Sequence, residues 1–302
     1  MMNGQLGDAS GARSGGTFTG KTIIVTGGSR GIGRAIALRL ARDGGSLVLA
    51  ARDMAALSKV VAEIEAGRGT ATPVAMDLRA PEAPAALVEA ALQAYGGIDI
   101  IVNNAGATRR GDFLQLTETD WMDGFALKFH GAVRLTRAAW HHLKQRHGSV
   151  LNIIGVGGRT PGPEFTIGGS VNGACMSFTK ALADLGIRDG IQVNAINPGS
   201  VRTDRLQLLL KSEAAQHGGD IDAAIEQLVR KANVVRLGEP EDVANLAAFI
   251  LSPQSRLLKG RSLTSTGDKR RPFEIWLPFW ELWSEGAQNR NAVQDSSAMD
   301  QP

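Results

Sequence analysis

Short apolar runs recur along the chain at Thr22–Thr26 (TIIVT), Ser46–Ala50 (SLVLA), Pro73–Asp77 (PVAMD), Ile98–Asn103 (IDIIVN), Ser149–Ile154 (SVLNII) and Ile191–Ile196 (IQVNAI), with a weaker one near Arg261–Ser265. Most are apolar at successive positions, so both faces of each strand need cover. Helical spacing fills the stretches between them, at Gly33–Asp43, Ala85–Ala94, Glu118–Arg146, Asn172–Ile187 and Pro240–Leu251. Strands that alternate with helices and are apolar on both faces predict a doubly wound α/β domain. A parallel sheet then lies between two helical layers, a three-layer sandwich whose ligand site is at the carboxyl ends of the strands.

This alternation covers residues 20–268 as one domain. Residues 1–19, rich in Gly, Ser and polar groups, read as a flexible tail. Residues 269–302 form an extension that opens with Lys269-Arg270-Arg271-Pro272, continues as FEIWLPFWELW and ends polar and flexible. Trp276, Trp280 and Trp283 recur there at helical spacing. Such a face pads its own domain, covers a partner subunit's active site or interface, or touches a membrane. No apolar run reaches the roughly 18 residues of a membrane-spanning helix, and the first residues lack the apolar core of a secretory signal. A cytoplasmic protein with no membrane partner is expected. The net charge of +3 is small and scattered, which argues against nucleic acid. One cysteine, Cys175, excludes an intramolecular disulfide and a cysteine-built zinc site. His141, His142 and His147 accompany Lys144 and Arg146 at a helix end, where cations are stabilising, so no metal site is expected.

Between the first strand and first helix lies Thr26-Gly27-Gly28-Ser29-Arg30-Gly31-Ile32-Gly33. Glycines in a strand-to-helix turn let the backbone approach a pyrophosphate, and the helix start contributes free N–H groups and a positive dipole end.

Four stretches, TGGSRGIG at Thr26–Gly33, NNAG at Asn103–Gly106, VNAINPG at Val193–Gly199 with Thr203 beyond, and RLGEPEDVA at Arg236–Ala244, resemble the short-chain dehydrogenase/reductase family. The resemblance spans residues 20–268. It implies a Rossmann-type sheet of about seven strands, a nicotinamide cofactor, a small-molecule substrate, and a homodimer or homotetramer, often with C-terminal tails crossing to a neighbour. It assigns the cofactor to Gly27, Ser29, Arg30, Gly31, Ile32 and Gly33. Asp77 and Leu78 would border the adenine, and Asn104, Ala105 and Gly106 its ribose. Pro198, Gly199, Val201 and Thr203 would hold the nicotinamide end. Where the family places an acid for the ribose of NAD, this chain has Ala51 followed by Arg52. With Arg30 in the loop, two guanidiniums and no carboxylate suit the 2′-phosphate of NADP rather than NAD. The plainer alternative is that both arginines are merely solvated.

The family's chemistry uses a Tyr-x-x-x-Lys pair, an upstream Ser and a helix Asn, with the tyrosine passing a proton to or from the substrate oxygen. This chain has one tyrosine, Tyr95, ahead of the position required. Alignment on Phe178–Ala183 puts the Tyr position at Gly168, the Lys position at Asn172, the Ser position at Gly155 and the Asn position at Lys128. Lys128 and Asn172 therefore exchange residue types between two sites that approach one another in the family fold. The exchange would give Lys128 the ribose and proton-relay role and Asn172 the water-holding role. Alternatively, Lys128 is a solvated surface lysine and Asn172 a helix N-cap. Two glycines beside the nicotinamide would free volume for a bulky substrate. Other candidates for acid–base duty are Arg159, Thr166, Ser170 and above all Glu164, whose carboxyl would suit if partly buried; otherwise it points at water.

The resulting expectation is an NADP(H)-dependent oxidoreductase of altered mechanism acting on a carbonyl or alcohol. A non-redox lyase or isomerase on the same fold, or a non-catalytic NADP(H)-binding regulator, are the alternatives.

Overall fold

Successive residues of each strand are buried in opposite directions, and this sets the layering. The computed structural model describes residues 16–216, 220–232 and 234–264. In chain order these run β1 (Thr22–Thr26), α1 (Gly31–Arg42), β2 (Ser46–Ala51), α2 (Met54–Ala66), β3 (Thr70–Ala75), α3 (Ala83–Tyr95) and β4 (Ile100–Asn103). They continue with α4 (Glu118–Phe125), one turn of π-helix (Ala126–His130), α5 (Gly131–Gln145), β5 (Ser149–Ile153), α6 (Thr166–Asp189) and β6 (Gln192–Asn197). Last come α7 (Asp204–Gln216), α8 (Ile221–Ala232), α9 (Pro240–Leu251) and β7 (Ser262–Thr264).

Ile23 and Val25 of β1 enter one apolar cluster, with Leu47 and Leu49 of β2 and Ile100 and Val102 of β4. Ile24, Val48, Ala50 and Ile101 enter the other. Burying one such side chain contributes about 1.5–3 kcal/mol, so neither face of these strands is left to solvent. Ile36 and Leu40 of α1, Leu57 and Ile64 of α2 and Val243 and Ala247 of α9 cover the first face. Leu87 of α3, Leu135 and Leu143 of α5 and Ala183 of α6 cover the second.

The strands form one seven-stranded sheet in the order β3-β2-β1-β4-β5-β6-β7, and every neighbouring pair is parallel. The expected doubly wound, three-layer Rossmann-type fold is therefore present. Winding changes direction between β1 and β4, and the loops after β1, β4, β5 and β6 leave the sheet at the same edge. That edge is the ligand crevice of such folds.

Several elements differ from expectation for identifiable reasons. β3 lies at Thr70–Ala75, earlier than the PVAMD run; Pro73 is tolerated there because β3 is an edge strand. The stretch Glu118–Arg146 is two α-helices joined by the π-helical turn. Helix α6 begins at Thr166, so Asn172 lies inside it and is not an N-cap. Helices α2, α7 and α8 add to those read from spacing. The chain expected to be a tail through residue 19 is already anchored at Phe18, which is 2% exposed and donates its N–H to Asp43 O at 2.9 Å. Residues 1–15 and the aromatic segment with Trp276, Trp280 and Trp283 lie outside the described residues. Among those described, no helix is long and apolar enough to cross a membrane.

Candidate active site

The loop after β1 is shaped to receive an anion. Gly27 N–H donates to Ala50 O at 2.7 Å, pinning the loop to β2, and Gly27 and Gly31 have φ of 66° and 54°. A Cβ on Gly33 would lie 2.2 Å from Gly27 O and 2.4 Å from Asn104 Nδ2, so only glycine lets the turn close. Arg30 enters α1 in extended conformation, and no side chain caps the helix. Its first N–H groups are thus left to an external acceptor, beside Ser29 and Ile32.

Asn104 braces this loop from β4. Its Nδ2 donates to Thr26 O at 3.0 Å and Gly27 O at 3.2 Å, while Thr26 Oγ1 accepts from the N–H groups of Asn104 (2.9 Å) and Ala105 (3.0 Å). Asn104 therefore holds the cradle together with its side chain turned toward the loop carbonyls. Thr203 reaches over from the β6 loop: a Cβ on Gly31 would meet its Cγ2 at 3.3 Å. Val201 is buried and bridges Gly238, while Pro198 O accepts from Val156 N–H at 3.1 Å, joining the β5 and β6 loops near Gly199. At the far end Arg52 is exposed just beyond Ala51. Asp77 pairs with Arg79 at 3.1 Å, and Leu78 is buried behind it. Neither Arg30 nor Arg52 has a carboxylate partner among the described residues. The cradle and the uncapped helix start fit the diphosphate of a dinucleotide.

The reaction end is built by side chains. Lys128 sits in the middle of the π-helical turn, a local irregularity frequent at functional sites. Its aliphatic stem passes over Gly106, where a Cβ would meet Lys128 Cδ at 2.9 Å. Lys128 Nζ donates to Asn172 Oδ1 at 2.7 Å and also to Ile154 O. Asn172, 4% exposed, sends its Nδ2 toward Gly155 O at 3.5 Å. The two exchanged residues are thus in direct contact, and Lys128 is not a solvated surface lysine. Loss of water around the ammonium lowers its pKa from the usual 10.5 to about 8, and the positive charge of Arg205 acts in the same direction. The opposing influence is Cys175, whose thiol burial pushes up, in a cluster with Ile154, Ile167 and Val171.

Phe165 occupies the space expected to be vacant. A Cβ on Gly168 would lie 2.1 Å from its ring, and one on Gly157 2.7 Å from it. The volume freed by glycine at 168 is therefore filled by this ring rather than opened to a bulky substrate. Gly155 has φ 129°, a conformation L side chains rarely adopt, so a serine there would be strained. Glu164 is exposed on a short turn before Phe165, so the partial burial its acid–base role needed is not met. Arg159 and Ser170 are exposed, and Thr166 is half-buried at the start of α6. Tyr95 bonds Thr72 Oγ1 at 2.9 Å on edge strand β3, four strands from β5, or about 19 Å at ordinary strand spacing. Lys144 pairs with Asp189 at 2.9 Å, and Arg146 with the buried Asp99 at 3.3 Å.

Three neighbours of this end carried no signal in the sequence. Phe165 is one. The others are Arg110, whose guanidinium lies 4.8 Å from the Phe165 ring centroid, and Arg205, whose Nη2 donates to Thr108 O at 3.1 Å. Each sits in a loop or helix start without a motif, and only the fold brings them to the crevice.

The pattern that describes the short chain dehydrogenase family matches residues 21–214. An oxidoreductase of Mycobacterium tuberculosis, itself described as uncharacterized, is 35% identical over 264 residues, 87% of this chain and 96% of that protein. The structure of L-sorbose reductase from Gluconobacter frateurii, complexed with NADPH and L-sorbose, is similar with a TM-score of 0.80 and 30% identity, covering 83% of this chain and 96% of the other. A 7α-hydroxysteroid dehydrogenase complexed with NADH and 7-oxo glycochenodeoxycholic acid gives 0.77 and 28%, over 85% and 97%. Joined to the parallel sheet and the braced glycine loop, these similarities establish that the chain belongs to the short chain dehydrogenase family.

Proposed function

We propose that the protein is an NADP(H)-dependent oxidoreductase acting on a small carbonyl or alcohol, in which Lys128 handles the proton that the family's tyrosine usually handles. One observation carries this reading: Lys128 Nζ and Asn172 Oδ1 are 2.7 Å apart in the ligand crevice. The glycine loop, Asp77, Leu78 and the β4 and β6 loops would hold the dinucleotide, with Arg30 and Arg52 on its 2′-phosphate. The NADPH in the sorbose reductase structure supports that preference, while the NADH of the hydroxysteroid dehydrogenase keeps NAD as the competing cofactor. When bound, the nicotinamide supplies or accepts a hydride.

An ammonium has three N–H donors, and Ile154 O and Asn172 Oδ1 take two. The third serves the substrate oxygen. During reduction that oxygen keeps the electron pair of the opened C=O bond and takes the Lys128 proton; the neutral amine is then recharged from solvent. A pKa of about 8 makes this ammonium a stronger acid than an ordinary lysine and brings it near the operating pH, where proton transfer is most effective. Asn172 holds the ammonium in place and is the group to anchor a relay water. Glu164 has no part in this scheme. The protein is taken to work in the cytoplasm as a homodimer or homotetramer.

The test is loss of NADPH absorbance against a panel of ketones and quinones. Turnover is expected with at least one, and Lys128→Met should reduce it by about 10²- to 10⁴-fold. The reduction rate should fall as pH rises through about 8 in the parent protein only. Equal turnover and an unchanged pH profile in Lys128→Met would overturn the assignment. NADPH binding without oxidation across the panel would favour the non-redox or regulatory alternatives.

A further inference from the structure

Beyond the cofactor arginines, the crevice holds two more guanidiniums that no carboxylate neutralises. Arg205 lies within electrostatic range of Arg110, Arg30 and Lys128. Among the described residues none of the three arginines makes an ion pair, although carboxylates nearby do so with other partners. Asp120 pairs with Arg109, and Glu239 with Arg202. Asp204, next to Arg205 in sequence, makes no ion pair with it.

Like charges left to themselves splay into solvent, where water screens them. Both of these are exposed, yet each is fixed by a contact. Arg110 is stacked 4.8 Å above the Phe165 ring, and Arg205 is bonded to Thr108 O, two residues before Arg110 on the same loop. That loop is tied down on its other side, where Gly111 N–H donates to Glu164 O at 3.1 Å. Phe165, which fixes Arg110, is the ring pressed against Gly168, and Arg205 lies two residues after Thr203, which touches the glycine loop. Arg110 therefore stands beside Phe165, and Arg205 between that loop and the glycine loop with Arg30. Partial burial, then the charges of Arg110 and Arg30, lower the pKa of Arg205.

We infer that the substrate carries an anionic group, a carboxylate or a phosphate, bound between Arg110 and Arg205. Planar guanidiniums offer paired donors to either group. This inference rests on the functional reading above, since it names the substrate class of the same site.

Calorimetric titrations of benzoate, phenyl phosphate and neutral benzamide into the NADP⁺-saturated protein test it. At least one anion should bind about tenfold more tightly than benzamide, and which one separates carboxylate from phosphate. The preference should disappear in Arg110→Gln/Arg205→Gln, with NADP⁺ affinity unchanged. The inference is overturned if benzamide binds as tightly as both anions, if the preference survives in the double variant, or if NADP⁺ affinity falls with it. Should NADP⁺ fail to bind the parent protein, the cofactor reading is what fails. The same titrations without dinucleotide then decide the arginines by the same criterion.

Discussion

The two ends of the crevice are built by different means. At the cofactor end the working groups are backbone N–H and carbonyl groups, shaped by glycines and pinned by Thr26 and Asn104. At the proposed reaction end they would be side chains: Lys128, Asn172, Phe165 and the arginines beyond. A backbone cradle tolerates few substitutions, because a Cβ at one position closes it. A side-chain site tolerates exchange, provided the same space receives compatible groups, as the contact between the Lys128 ammonium and the Asn172 amide would allow.

This contrast predicts where damage is greatest. Gly33→Val should abolish NADPH binding, because its Cβ would stand 2.2 Å from Gly27 O; a fluorescence titration with near-parent affinity would contradict the cradle. At the other end, Gly168→Ala should cost about 1–3 kcal/mol by overpacking against Phe165. That penalty should shrink in a Phe165→Ala background, as denaturant melts of the double-mutant cycle would reveal. Additive effects would mean that the ring does not fill the glycine's space. Smaller still, Arg52→Ala should weaken NADPH by about 1.4 kcal/mol, tenfold, with NADH unchanged. An equal loss for both would remove Arg52 from the 2′-phosphate.

A further effect is on stability against pH. Since the Lys128 pKa is lowered on folding, the unfolded chain binds more protons between about 8 and 10.5. Stability of the parent protein relative to Lys128→Met should therefore rise over that window and stay flat below it. A difference in Tm that is constant from pH 7 to 10 would remove the burial argument.

The same contrast governs what was legible without coordinates. The bounds of β1 and α9 follow directly from apolar patterning and, for α9, from Pro240 at its start. Helix α2 carried readable signals, with Asp53 Oδ1 accepting from Ala56 N–H at 3.0 Å and Leu57, Val60, Val61 and Ile64 on one face. The cradle was legible because a pyrophosphate site demands glycines at close sequence spacing. Contact between Lys128 and Asn172 was legible only through resemblance to a family fold, since they lie on separate helices. Phe165, Arg110 and Arg205 were not legible: nothing local distinguishes a ring that fills a neighbour's missing side chain from one in any loop. Glu164 misled for the converse reason, as its chemistry suited the task but its turn leaves it in water.

The most direct test of the Lys128 assignment is to titrate its amine by carbon-13 NMR of labelled lysine side chains in the NADP⁺-saturated protein, using Lys128→Met to identify the resonance. The account predicts one lysine titrating near pH 8, absent from the variant. If every lysine titrates near the ordinary value of about 10.4, the buried ammonium cannot be the proton source described here.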